Sequence, residues 1–254
     1  MIGNPAVLPD RFAPRPGERV FLSAEWRDLV MLNYEVDPGL LQSYLPRGTE
    51  LDQFEGRTFI SLVGFRFLRT KLFGLASVPF HANFDEVNLR LYVRLREGGE
   101  IRRGVVFIGE IVPRAGIALV ARLAYGENYS SHPMRHSVSL SPTGGLARYE
   151  WRFEGQWCGL EARATATAAQ PPEGSFEQFI TEHYWGYSAG RGQCFEYRVA
   201  HRPWNIWTTS AARFHGNDDS LYGPQLEAIL RRAPHSAFVA DGSPVIVFTG
   251  RRIW

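Results

Sequence analysis

Between Glu86 and Val93 polar and apolar positions alternate without a break. Glu86, Asn88, Arg90 and Tyr92 fall on one face of an extended strand, and Val87, Leu89, Leu91 and Val93 on the other. After a Gly98-Gly99 turn signal, residues 104–112 put Val105, Phe107 and Ile111 on one face and Val106, Ile108 and Val112 on the other, as in a strand buried on both sides. An exposed sheet face would give the same alternation as the first stretch. If the two stretches pair as a hairpin, however, the polar row lies beside an apolar one and faces an enclosed space. A carboxylate, an amide, a guanidinium and a phenol are costly there unless they pair with one another or with a guest.

The same patterning predicts strands over 28–36, 49–54 and 57–69, the last apolar on both faces except at Arg66. Strands over 135–141, 146–154 and 157–168, separated by short turn signals, read as an antiparallel meander. Residues 184–188 and 194–201 can pair across Gly190-Arg-Gly192, 207–214 is a further strand, and two strands near 236–240 and 244–250 close the chain. Four short helices are expected. Asp37-Pro38 supplies a cap and a first-turn proline for one, and residues 117–125 have helical composition stopped by Gly126. Ser175-Phe-Glu-Gln178 is a capping box, and Pro224 opens a helix to Arg232. The first 20 residues, rich in Pro, Arg and Gly, read as an irregular arm. Together these elements predict a single α+β domain over 1–254, mainly β, dominated by a closed or nearly closed antiparallel barrel with a few short peripheral helices.

Size and charge narrow the picture. A chain of 254 residues that is 44% hydrophobic has ample apolar content for one large core. The net charge of +2 comes from 28 basic and 26 acidic residues scattered along the chain, which gives no nucleic-acid face. No stretch resembles a secretory signal, and none approaches the roughly 18 apolar residues of a membrane span. Cys158 and Cys194 are isolated, without Cys-x-x-Cys spacing, and fit reduced thiols in a bacterial-type cytoplasm. Lys71 is the single lysine, so a mechanism that needs a side-chain amine has one candidate.

No dinucleotide-binding glycine loop, phosphate loop, Gly-x-Ser-x-Gly elbow or His-Glu-x-x-His pair occurs, and no cofactor is expected. His132 and His136 stand four apart near Glu127, a metal-ligand spacing only on a helix. Ser130, Ser131 and Pro133 make a poor one, so no metal is expected. His201 and Trp204, around Pro203, can form an aromatic wall with one polar tip, although ordinary packing at a strand-to-loop corner is the favoured account. Arg66 needs an acidic partner or an anionic ligand, and Glu86 or Glu110 can supply the first.

Four blocks occur in order: Asp37-Pro-x-x-Leu-x-x-x-Leu-Pro46 with Leu51-Asp52, then Glu86–Val93, Phe179-Ile-Thr-Glu-His-Tyr184, and His201-x-Pro-Trp204. From about Asp28 onward the chain thereby resembles the uncharacterised bacterial YqjF-like proteins of the acetoacetate-decarboxylase-like superfamily. The resemblance implies a β-barrel with a central cavity. In the decarboxylase a cavity lysine forms a Schiff base with a keto acid, its amine pKa lowered by a second lysine and by apolar surroundings. The matching place here is Tyr125-Gly-Glu127-Asn128, with a carboxylate and an amide where the two amines would stand. Schiff-base chemistry is therefore not expected, since a fold does not carry its reaction with it.

The leading expectation is a barrel whose lumen holds a small anionic or carbonyl-bearing molecule. Arg90 and Arg66 would be its charge partners, Asn88, Tyr92, Tyr125 and Asn128 its hydrogen-bonding groups, and Trp204 a wall. As an enzyme it would run acid-base chemistry of the lyase, hydrolase or isomerase kind, with Glu86 or Glu127 as acid or base and His201 second. A non-catalytic binder or sensor using the same cavity is the alternative. A third reading makes Glu86 and Arg90 a buried structural pair. The expected partner is a small molecule, with a homo-oligomer left open.

Overall fold

The structure, a computed structural model, describes residues 13–73, 82–114, 128–190, 193–216 and 221–253. The expected helix at 117–125, and with it Tyr125 and Glu127, lies outside the described residues. The strands are β1 (Val20–Val36), β2 (Thr49–Leu51), β3 (Thr58–Leu72), β4 (Phe84–Glu97), β5 (Glu100–Val112), β6 (Tyr129–Ser131) and β7 (Met134–Ser141). They continue as β8 (Gly144–Phe153), β9 (Gln156–Ala169), β10 (Trp185–Gly190), β11 (Gln193–His201), β12 (Ile206–His215), β13 (Ser236–Phe248) and β14 (Arg251–Arg252). Two α-helices, α1 (Phe176–Thr181) and α2 (Pro224–Leu230), join them, and Pro38–Tyr44 forms a 3-10 turn capped by Asp37 where a helix is expected.

Strands β5, β4, β3, β1 and β13 run side by side, each antiparallel to the next. Strand β13 also pairs with β11, β11 with β10, and β10 with β5, so that neighbours make a circuit of seven strands. The last joins are short. β11 meets β13 over Val199–His201, and β10 meets β5 in parallel at Trp185 and Gly186. The first half of β13 pairs instead with β12, from which β9, β8 and β7 continue as a second sheet.

This arrangement explains why β3 is apolar on both faces. Ile60 and Leu62 point outward into the layer shared with Tyr149, Trp151 and Leu160 of the second sheet. Phe59, Val63, Phe65 and Phe67 point into the ring, with Met31, Phe238 and Val245. Burying these large side chains at about 1.5–3 kcal/mol each supplies most of the drive for both layers. The layers touch closely at Gly64, where a Cβ would stand 2.8 Å from the Tyr149 ring and 2.9 Å from Leu160.

Two boundaries differ from the sequence expectation for one reason. β1 begins at Val20, before Asp28, and β13 is continuous where two strands are expected. Both strands are irregular at the same level: β1 carries a bulge, its register with β3 shifting between Arg27 and Val30 where Asp28 has φ 57°, and on β13 Gly242, opposite Arg27, has φ 76°. An extra residue flips the phase of the alternation, so a continuous strand looks interrupted in sequence.

Gly242 and Gly56 share a φ of 76°, but a Cβ at Gly242 would lie 2.0 Å from the Trp26 carbonyl, whereas at Gly56 it meets nothing within 4 Å. Gly56→Ala is therefore expected to cost about 1–2 kcal/mol in urea unfolding, the left-handed backbone penalty alone. Gly242→Ala is expected to cost roughly 1–3 kcal/mol more, from overpacking against backbone. Equal losses in the two variants would contradict the bulge as a tight junction.

Candidate active site inside the ring

Strand β4 turns its polar row into the ring. Across the strand pairs Glu86 faces Phe65, Asn88 lies between Val63 and Glu110, and Arg90 lies between Ser61 and Phe107. Opposed residues in adjacent strands share a face, so this wall mixes charge with aromatic surface. Glu86, Asn88 and Tyr92 are 3%, 2% and 1% exposed. Arg90 and its neighbour Phe107 remain half-buried although both sit mid-strand and point inward. Solvent thus reaches the inner wall at this level.

Hydrogen bonds tie most of the row down. Glu86 accepts from Asn88 Nδ2 at 3.1 Å and from Tyr129 Oη at 3.4 Å. The Ser61 hydroxyl donates to Asn33 Oδ1 at 2.6 Å and so accepts from Tyr92 Oη, also at 2.6 Å, while Asn33 Nδ2 donates to Ser236 Oγ at 3.0 Å. Arg90 is different. Its Nη2 donates weakly to the Ile180 carbonyl at 3.4 Å, its guanidinium lies 5.6 Å from the Tyr92 ring centre, and it makes no ion pair among the described residues. The third sequence reading, a Glu86–Arg90 structural pair, is thereby corrected.

One end of the ring is closed by α1, whose N-cap Ser175 accepts from the Gln178 amide at 3.2 Å. Its Phe179 and Ile180 pack inward, and His183, just beyond it, lies 4.8 Å from the Tyr92 ring. His183 Nε2 donates to Asp52 Oδ2 at 3.1 Å, and Arg103 Nε donates to the same oxygen at 2.5 Å. Burial pushes the Asp52 carboxyl up, but these two hydrogen bonds outweigh it and hold the group below the usual carboxylate range. Burial lowers the His183 imidazole to about 4 against the pull of Asp52, helped by the charges of Arg103 and Arg90.

His201 enters from β11. Its ring stacks on Trp204 at 4.3 Å and contacts Tyr184 at 4.8 Å, and its Nδ1–H donates to the Arg202 carbonyl at 2.8 Å. Burial, with Arg90's charge behind it, lowers this imidazole to about 4 as well. Arg90 therefore sits electrostatically between two neutral histidines. Asn88 Oδ1, Arg90 Nε, His183 Nδ1 and Trp26 Nε1 are all buried without a partner among the described residues.

Of the residues expected at the site, the ring thus brings together Glu86, Asn88, Arg90, Tyr92, His201 and Trp204. Arg66 is corrected: it lies on the outer face of β3 and pairs with Asp28, because Arg66 opposes Asp85 while Phe65 opposes Glu86. Asn128 is exposed beside β6 and donates to the Ile108 carbonyl at 3.1 Å, away from the row. His183 and Asp52 escaped sequence reasoning. Both stand within the motif blocks, but no local spacing joins residues 131 apart. No group of three His, Cys, Asp or Glu among the described residues can hold a metal ion, and His136 pairs instead with Asp85 at 2.9 Å.

YqjF of Bacillus subtilis (strain 168), itself uncharacterized, is 23% identical over 190 residues, which cover 73% of this chain and 75% of YqjF. The acetoacetate decarboxylase of Legionella pneumophila is similar in structure with a TM-score of 0.65 at 12% identity, over 100% of this chain and 98% of that one. MppR, an enduracididine biosynthesis enzyme solved with the condensation product of pyruvate and imidazole 4-carboxaldehyde, gives 0.63 at 16% identity, over 91% and 88%. At such identities the likeness shows the fold, an acetoacetate-decarboxylase-like barrel that hosts small-molecule enzymes. No helix among the described residues is long and apolar enough to cross a membrane. The profile of the uncharacterized conserved family DUF2071 matches residues 23–244, and the chain belongs to that family.

Proposed function

We propose that the ring is a binding site for a small carboxylate-bearing molecule, held through Arg90. The observation that carries this reading is a half-buried arginine facing the inside of the barrel with no carboxylate partner among the described residues. Left alone, such a charge is poorly compensated, whereas a carboxylate offers it a bidentate, charge-assisted contact. The unpartnered atoms of Asn88 and Trp26 offer an acceptor and a donor to the rest of the guest. Glu86, about four strand residues or roughly 13 Å from Arg90, would accept from a donor at the guest's far end. A keto acid is the natural first probe, because MppR has also been solved with pyruvate. A binder or sensor without turnover would use the same contacts.

Pyruvate titrated calorimetrically is expected to bind the wild-type protein and to lose at least tenfold in affinity in Arg90→Leu. That variant should keep its unfolding free energy within about 1 kcal/mol, since no buried carboxylate is stranded. Undiminished pyruvate binding in Arg90→Leu would remove this function.

Lys71 is exposed near the end of β3, so the ring interior holds no side-chain amine. Borohydride added to the protein with pyruvate is accordingly expected to leave its mass unchanged. A stable adduct on Lys71 would restore Schiff-base chemistry.

The two histidines make stability pH-dependent. Folded, both titrate at about 4, and unfolded near 6.5, so below pH 6.5 the unfolded chain binds more protons. Their contribution is complete above pH 6.5 and is lost as pH falls from 6.5 to 4, about 3 kcal/mol per ring at the lower end. Urea midpoints should fall over this window, and less steeply in His201→Asn. Identical slopes in the two proteins would show that His201 is not held neutral by the fold.

A further inference from the structure

We propose that His201 is the general base of this site and that the protein enolises a bound 2-oxo acid, exchanging the C–H protons next to its carbonyl. This rests on the Arg90 reading above. Three features of the ring support it.

The first is the tautomer. A backbone carbonyl can only accept, so the 2.8 Å contact to Arg202 fixes the proton on Nδ1 and leaves the lone pair on Nε2. Nε2 has no protein partner among the described residues. The second is rigidity. The ring is clamped by Trp204, Tyr184 and Trp26, at 4.3, 4.8 and 6.2 Å between centres, and Trp204 is itself fixed by Nε1 donating to Ser243 Oγ at 3.0 Å. A base held this way has little reorganisation left before proton transfer.

The third is the neighbouring charge. Arg90, on β4 across the ring, acts on the imidazole and keeps it neutral together with burial. A carboxylate on Arg90 cancels that repulsion, so the base strengthens only when a guest is present. Even a base of carboxylate strength suffices when the developing oxyanion is stabilised. His183 does not offer the same: its Nε2 is committed to Asp52 and its Nδ1 is sealed from solvent between the Tyr92 and Phe179 rings. Glu86 is engaged by Asn88 and Tyr129 further along the wall.

In the proposed step Nε2 takes a proton from the carbon beside the carbonyl. The C–H electron pair becomes the enolate double bond, and the carbonyl π pair moves to oxygen, whose negative charge Arg90 stabilises. The imidazolium trades its Nε2 proton with solvent and then returns a proton, in D2O a deuteron, to the same carbon. Nothing else is consumed.

The test is proton NMR of pyruvate in D2O with catalytic amounts of the full chain. The methyl signal is expected to decay at least tenfold faster than in buffer at the same pH. In His201→Asn, whose amide can keep the donor to Arg202 but lacks Nε2, decay should fall to the buffer rate while pyruvate affinity stays within about threefold. Wild-type protein that binds pyruvate without accelerating exchange overturns the proposal and leaves the binding reading intact. Wild-type protein that does not bind pyruvate overturns both. Exchange retained in folded His201→Asn also overturns it. If that variant does not fold, the wild-type profile taken with pyruvate well below its Kd, which reads the free protein's base, decides: a rate above buffer that is level between pH 5 and 8 supports a base of pKa near 4, and a rate that climbs through this range overturns it.

Discussion

One positive charge enclosed by a ring of strands organises this protein. Arg90 stands mid-strand on β4, facing inward, and the fold gives it a backbone carbonyl and an aromatic face but no described counter-ion. A guanidinium cannot shed its proton to relieve that situation as a buried histidine or lysine can. Whatever else lines the ring must therefore accommodate a permanent cation, and what surrounds it follows from that requirement: solvent access at Phe107, two neutral imidazoles, and carboxylates engaged elsewhere.

The ring can hold such a wall because its other load is carried outside. The second sheet covers the outer faces of β1, β3 and β4, so the aliphatic half of β4 is spent on the layer with Tyr149 and Trp151. The inner half is then free to be polar. The β1 bulge at Asp28 and the left-handed Gly242 facing it lie between the half of β13 that pairs with β12 of the second sheet and the half that pairs with β11 of the ring. Closure itself is delicate at β5 and β10, where Gly104 would set a Cβ 2.5 Å from the Trp185 carbonyl.

Much of this was legible in the chain. Strict alternation over Glu86–Val93 beside a doubly apolar strand located the inner wall, and the turn signals between β7, β8 and β9 gave the meander. The failures share a cause. A lone charge on a strand apolar on both faces does not reveal its own phase, and one residue of register decides that Arg66 enters the outer layer and not the wall. Bulges shift that phase, and periodicity alone does not show them. The Asp52–His183 contact joins residues 131 apart, so only the closed ring could reveal it.

The central claim is that an anion belongs beside Arg90. Crystals soaked in bromide and measured at the bromine absorption edge test it most directly, because the ion has no shape requirement and its anomalous signal identifies it. The account predicts an anomalous peak within about 3.5 Å of the Arg90 guanidinium, inside the ring. A ring with no such peak and Arg90 paired to a side-chain carboxylate would contradict it.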